Sequence, residues 1–287
     1  MFKLEKRERW LLAAVLALLV LAVGGPWMAQ PAHHHEFADR RVWEAIPFAM
    51  DVLSNLPFAL WGALGLFVVC SSAGQRTQGQ SRAGGEFSAS RVQAGLAALF
   101  FVGLLVTAGA SSWYHLQPDD TGLMFDRLAM TVAFAGLLGL AAAGRVTPRA
   151  GVILAGALLV SGPLSIWAWS TSGNIVPWAV VQFGGIALVL WLACLRPLPQ
   201  ALPISWFALI GIYAFAKLLE LADHQVFDWT GHLVSGHSLK HVVASFAAWP
   251  VVVALNGWAQ ACKQRNRAPA SAAKSSIPGR IARPLRG

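Results

Sequence analysis

Eight stretches of roughly 20 largely uncharged, apolar residues follow one another through this chain, and no other feature restricts its fold so severely. A helix rising 1.5 Å per residue needs about 20 residues to cross a hydrocarbon core of ~30 Å. The runs are continuous rather than alternating, which argues against a transmembrane barrel. Inside a bilayer each backbone N–H and C=O must be satisfied without water, and a helix does so within one segment. The expectation is an all-α integral membrane protein. Composition agrees: 12% of the residues are charged, against about a quarter in soluble domains.

The first run, Trp10 to Met28, follows Lys3, Lys6, Arg7 and Arg9. A basic start and hydrophobic middle have the form of a signal peptide. The run is long for one, however, and Ala29 to Ala32 offer no small-x-small cleavage site, so it reads as an uncleaved first span. A polar connection to Pro47 carries His33, His34, His35, Glu36, Asp39 and Glu44. Span two, about Phe48 to Cys70, opens Asp51-Val-Leu-Ser-Asn55-Leu-Pro57, and the Gly/Ser/Gln/Arg-rich stretch 71–91 reads as a flexible loop. Span three ends at His115, a short turn follows, and span four covers Gly122 to Ala143. Spans five, six and seven are Ala150 to Ser170, Ile175 to Leu195 and Ile204 to Leu221. A loop through Asp223, His224, Asp228 and His232 leads to span eight, Gly236 to about Trp258. The chain thus divides into a first span (1–29), a seven-span unit (30–258) and a basic Pro/Ser/Ala-rich tail (259–287) expected to be disordered.

The net charge of +9 invites a nucleic-acid reading, but the positions of the basic residues argue for another. Alternate connections and the two termini hold 17 Lys and Arg; the opposite set holds Arg40 and Arg41 outside the helix ends. The positive-inside rule then places both termini in the cytoplasm, with no nucleic-acid partner implied. The end of span three and the starts of spans four and eight fall together at the non-cytoplasmic face. Cys70, Cys194 and Cys262 show no CxxC spacing, so neither a disulfide framework nor a thiolate metal site is indicated.

At that face lie Ser111, His115, Asp126, His237 and His241. His237 and His241 are four apart, hence one turn apart on one helix face. Two such imidazoles with a third from another helix make the three-ligand set of catalytic zinc, with a position left for water or substrate. Zinc lowers the pKa of a coordinated water towards about 7 and polarises a carbonyl. Asp126 is the carboxylate at that depth for proton transfer, and Ser111 shares a face with His115, where its hydroxyl could steady a developing oxyanion. Each residue also has a plainer role. Asp126 could pair with Arg127, Ser111 could be a small packing residue, and a lone intramembrane histidine could bond a carbonyl. Lys217 and Glu220 could pair across a turn, and Lys240 could snorkel to the interface. His33 to His35 read as surface residues, and His224 and His232 as spare ligand candidates.

Three separated motifs, Ser111-Ser-Trp-Tyr-His115, Asp126 in Phe-Asp-Arg-Leu-Ala-Met and His237-Ser-Leu-Lys-His241, resemble those of the alkaline ceramidases. The same motifs are similar to those of the wider CREST superfamily of membrane hydrolases, which includes the adiponectin-type receptors. A softer likeness is Asp51-Val-Leu-Ser-Asn55-Leu-Pro57, and the resemblance covers about residues 36–258. It implies a seven-helix bundle, here with one additional N-terminal transmembrane helix, and Zn2+ held by His115, His237 and His241. The implied reaction is hydrolysis of the ceramide amide to sphingoid base and fatty acid. Asp126 would carry the proton and Ser111 would support the oxyanion, on a lipid substrate drawn from the bilayer. Eukaryotic ceramidases also bind Ca2+ through an acidic N-terminal cluster; the acids to compare with it here are Glu36, Asp39 and Glu44, and calcium stays open. Two rival readings stand beside this one: a receptor or sensor of the adiponectin-receptor type, and a transporter whose polar residues line a pathway.

Overall fold

The computed structural model describes residues 4–77 and 89–267, and its regular elements are helices. The chain begins with α1 (Lys6–Gly24), a short α2 (Ala49–Leu53), and α3 (Leu56–Thr77). It continues through α4 (Ala89–Leu116), α5 (Asp120–Arg145) and α6 (Pro148–Ser172). Next, α7 (Val176–Ala179) passes through a π turn at Val180–Gly184 into α8 (Gly185–Cys194). Then come α9 (Trp206–Leu221), α10 (Asp223–Trp229) and α11 (Gly236–Ser245). A 3₁₀ turn at Phe246–Ala248 leads from α11 into α12 (Trp249–Arg267). Pro250 accounts for that break, because it has no N–H to bond the carbonyl of Phe246 one turn earlier.

Among the described residues, six segments are long and apolar enough to cross a bilayer: Ala49–Ser71, Ala89–Leu116, Asp120–Arg145, Pro148–Ser172, Val176–Cys194 and Gly236–Trp258. Their outward faces expose large apolar side chains such as Leu60, Phe67, Val160 and Trp167, as lipid-facing helices do. This is an all-α, multi-pass membrane protein. Length and composition do not extend the count to eight. α1 carries Lys6, Arg7, Glu8 and Arg9 in its first turn, and α9 has 16 residues, about 24 Å of rise.

The helices also shift the expected boundaries. α3 continues to Thr77 and α4 begins at Ala89, so both ends of the expected loop are helical; 78–88 lie outside the described residues. α12 continues to Arg267, which makes 259–267 helical where disorder was expected; 268–287 lie outside the described residues. The loop before span eight contains a helix, α10.

The α4–α5 hairpin sets the depth of the candidate site. A Cβ on Gly103 would lie 2.2 Å from the Ala133 nitrogen, and one on Gly136 2.3 Å from that of Phe100. Only glycine lets the two backbones touch this closely, as small residues do between membrane helices. Asp119 caps α5 by accepting from Gly122 N at 2.6 Å. The tight turn then brings the last turn of α4, with His115, beside the first turns of α5, with Asp126. At the far end of the bundle Arg7 donates to the carbonyls of Arg145 (2.7 Å) and Arg196 (3.0 Å). The basic and histidine-rich ends of the bundle are therefore opposite ends.

Candidate metal centre

The first turn of α11 is held from three sides. Ser235 caps it by accepting from Ser238 N at 3.0 Å, and Asp223 Oδ1 accepts from His237 N at 2.7 Å. Gly236 lies against the end of α9, where a Cβ would meet Leu219 O at 2.2 Å and Asp223 Cα at 2.8 Å. His237 and His241 consequently face the last turn of α4, where His115 waits. One nitrogen from each of the three buried rings lies within 4.8 Å of the other two. His115 Nε2 and His237 Nε2 are 3.3 Å apart, close to the edge of a tetrahedron of Zn–N bonds of 2.0–2.1 Å, about 3.3–3.4 Å. Three imidazoles, with one pair of nitrogens at that spacing and all three within 4.8 Å of one another, fit zinc in donor type.

The ring of His241 is fixed from behind. Ser54 Oγ spends its one proton on the carbonyl of Asp51 (3.0 Å), so at 2.9 Å from His241 Nδ1 it accepts from the imidazole N–H. That tautomer leaves Nε2 bare, as a metal ligand requires. His115 Nδ1 is buried with no such partner among the described residues. Asp51 is fully buried and accepts from Ser238 Oγ at 2.6 Å and Ser235 Oγ at 3.4 Å. Asn55 Nδ2 donates to the Asp51 carbonyl at 2.8 Å. Asp51 therefore ties the α2–α3 corner to the helix that carries two of the three histidines. Removing it in Asp51→Ala strips Ser238 of its acceptor and is expected to cost about 1–3 kcal/mol of stability. It should also weaken zinc binding about 10–100-fold, to be read by thermal unfolding in detergent and by zinc titration.

Ser111, one turn before His115, is buried, and both its side chain and Asp126 line the cavity. Arg127 turns elsewhere: Nη2 donates to Gln30 Oε1 at 2.8 Å, and the guanidinium lies over Trp169, 4.3 Å from the ring centre. Asp126 is thereby left facing the cavity. Lys217 pairs with Glu220 as the three-residue spacing allowed. Lys240 does not snorkel: its Nζ bonds Glu220 Oε1 at 2.6 Å, and all three residues line the cavity wall. His224 and His232 stand apart from the cluster, the first 3.3 Å from Glu36 O and the second 3.3 Å from Asp228.

The connection that precedes α2 folds over the site. Phe37 is buried, with its ring centre 4.7 Å from that of His115 and 4.4 Å from that of His237. Ala38 N is anchored on Asp223 Oδ2 at 2.9 Å. Asp39 is gripped by Arg41 through Nε (2.8 Å) and Nη2 (2.5 Å). Burial pushes the Asp39 carboxyl up, but these Arg41 bonds outweigh it and hold the group below the usual carboxylate range. With Asp39 so engaged and Glu36 paired to His33 at 2.9 Å, the acids considered for calcium do not converge among the described residues.

The site opens on a cavity of about 620 Å³, well within the range of small-molecule sites. Its polar end holds His115, Asp126 and His237, while Phe100, Leu138 and Val189 line its depth. Of the residues singled out in the sequence, the structure draws His115, His237 and His241 together, and Ser111 and Asp126 line the same cavity. Sequence reasoning did not assign Ser54, Asp51 or Asp223 to the site. The signal available was an acid and a hydroxyl inside an apolar run, costly unless partnered.

Comparison of the chain with protein-family models and with curated proteins gives no match. The functional reading therefore rests on the site.

Proposed function

We propose that this protein is a zinc-dependent intramembrane hydrolase that cleaves a lipid amide, with ceramide, split to sphingoid base and fatty acid, as the leading substrate. One observation carries the reading: three buried imidazole nitrogens converge in the wall of a largely apolar cavity that Asp126 and Ser111 also line. His115, His237 and His241 would hold the ion, which supplies Lewis-acid polarisation of a carbonyl and activation of water. Asp126 takes a proton from the attacking water and returns it to the leaving amine. Ser111 donates its hydroxyl hydrogen to the developing oxyanion. The apolar depth of the cavity receives an acyl chain, and Phe37 keeps bulk water from the histidines.

The proposal includes a topology. α1 is the additional N-terminal helix beside a seven-helix unit, the basic end with Arg7, Arg145 and Arg196 is cytoplasmic, and the site faces the opposite side. The motif resemblance and the shared depth of His115, Asp126 and His237 support this placement. Purified protein in detergent should release fatty acid from a fluorescent ceramide and lose that activity to a zinc chelator. Solute or ion flux across reconstituted vesicles, with no hydrolysis, would instead favour a transporter.

A further inference from the structure

The consecutive histidines of the first connection do more than decorate a surface. His34 and His35 turn their rings to the same acceptor: His34 Nε2 lies 3.0 Å and His35 Nε2 3.1 Å from Asp120 Oδ1. Both rings are also held from behind. His34 Nδ1 bonds the carbonyl of Pro31 at 2.7 Å, and His35 Nδ1 bonds the hydroxyl of Tyr114 at 2.8 Å. A carbonyl can only accept, so His34 Nδ1 carries the hydrogen, and in the neutral ring Nε2 is a bare lone pair aimed at a carboxylate oxygen. The Tyr114 hydroxyl can accept from His35 Nδ1 in the same way, and in that tautomer two lone pairs and an anionic oxygen face one another, an arrangement that a cation between them satisfies.

We propose that His34, His35 and Asp120 form a second divalent-metal site at the mouth of the cavity, for a first-row transition ion such as zinc. The three ligand atoms lie within 4.8 Å of one another. Two imidazoles and one carboxylate are a recurrent donor set for such ions, with coordination positions left for water. The exposure of the groups suits an exchangeable site: the two histidine side chains are 18% and 26% exposed and that of Asp120 73%. The ring centres are 3.9 Å apart, so two imidazolium rings would repel each other, whereas one shared ion joins them. The ion would clasp the connection that carries Phe37 onto the first turn of α5. Tyr114, the partner of His35, immediately precedes His115 in the chain, which links the mouth to the buried histidines through one backbone step. The inference uses none of the buried ligands and does not depend on the hydrolase reading.

The test is a Zn2+ titration of the full chain, stripped by chelator and freed of any histidine affinity tag. Wild type should take up two equivalents, and His34→Ala/His35→Ala one. His237→Ala/His241→Ala should retain the mouth equivalent, with X-ray absorption showing two imidazoles and oxygen ligands. Asp120→Asn keeps the shape of the side chain and should weaken only the mouth site, by at least tenfold. The proposal is overturned if stoichiometry and affinity are the same in wild type, Asp120→Asn and His34→Ala/His35→Ala. Failure of the buried site would look different: a single equivalent, lost with His34 and His35 and indifferent to His237 and His241.

Discussion

Asp126→Asn is expected to lower turnover of a lipid amide by about 10²–10⁴-fold, the usual contribution of a positioned acid–base group, while zinc content stays at the wild-type level. The residue sits near the start of α5 and lines the cavity with Ser111, and Arg127 is engaged with Gln30 and Trp169. Asparagine keeps the shape of the side chain, but it cannot carry a proton between water and the leaving amine. The loss should fall on kcat rather than KM, because the carboxylate is asked to act in the transition state. Initial rates with a fluorescent ceramide, together with metal analysis of the same preparation, give the answer. Full activity in Asp126→Asn would remove it from the chemistry.

Gly236→Ala should disrupt the metal site through the addition of one methyl group. The added Cβ would sit 2.2 Å from Leu219 O and 2.8 Å from Asp223 Cα, both backbone atoms that no rotamer change can move. The first turn of α11 would have to lift off α9 and α10. That strains the bond from His237 N to Asp223 Oδ1 at 2.7 Å and displaces His237 from His115. Overpacking of this kind costs about 1–3 kcal/mol, and the zinc site should be lost with it. Gly257, with nothing within 4 Å of its Cβ position, is the control: Gly257→Ala should melt and bind zinc like wild type. Unchanged zinc affinity in Gly236→Ala would mean that α11 is not held as described.

The membrane architecture was legible in the sequence because the apolar runs of α3, α4, α5, α6 and α7–α8 each exceed what a soluble helix needs. Runs do not show interruptions, so the corner at Ser54–Asn55, the π turn at Val180–Gly184 and the 3₁₀ turn at Phe246–Ala248 appear only in the structure. The buried histidines were legible for a physical reason: an imidazole within a span needs a partner, and helical spacing shows which faces it shares. The supporting groups were harder to see. Asp51 and Asp223 act through bonds to Ser238 and the His237 backbone, 187 and 14 residues away in the chain, and no local pattern encodes those pairings. Lys240 misled for a similar reason, since an amine near a helix start looks interfacial until Glu220 on α9 is seen to hold it.

The central claim is that His115, His237 and His241 hold zinc. Metal analysis of purified wild type beside His237→Ala/His241→Ala, both folded by circular dichroism, tests it most directly. The account predicts that the double variant carries one zinc per chain fewer than wild type and has no hydrolytic activity. An unchanged zinc content in the double variant would contradict it.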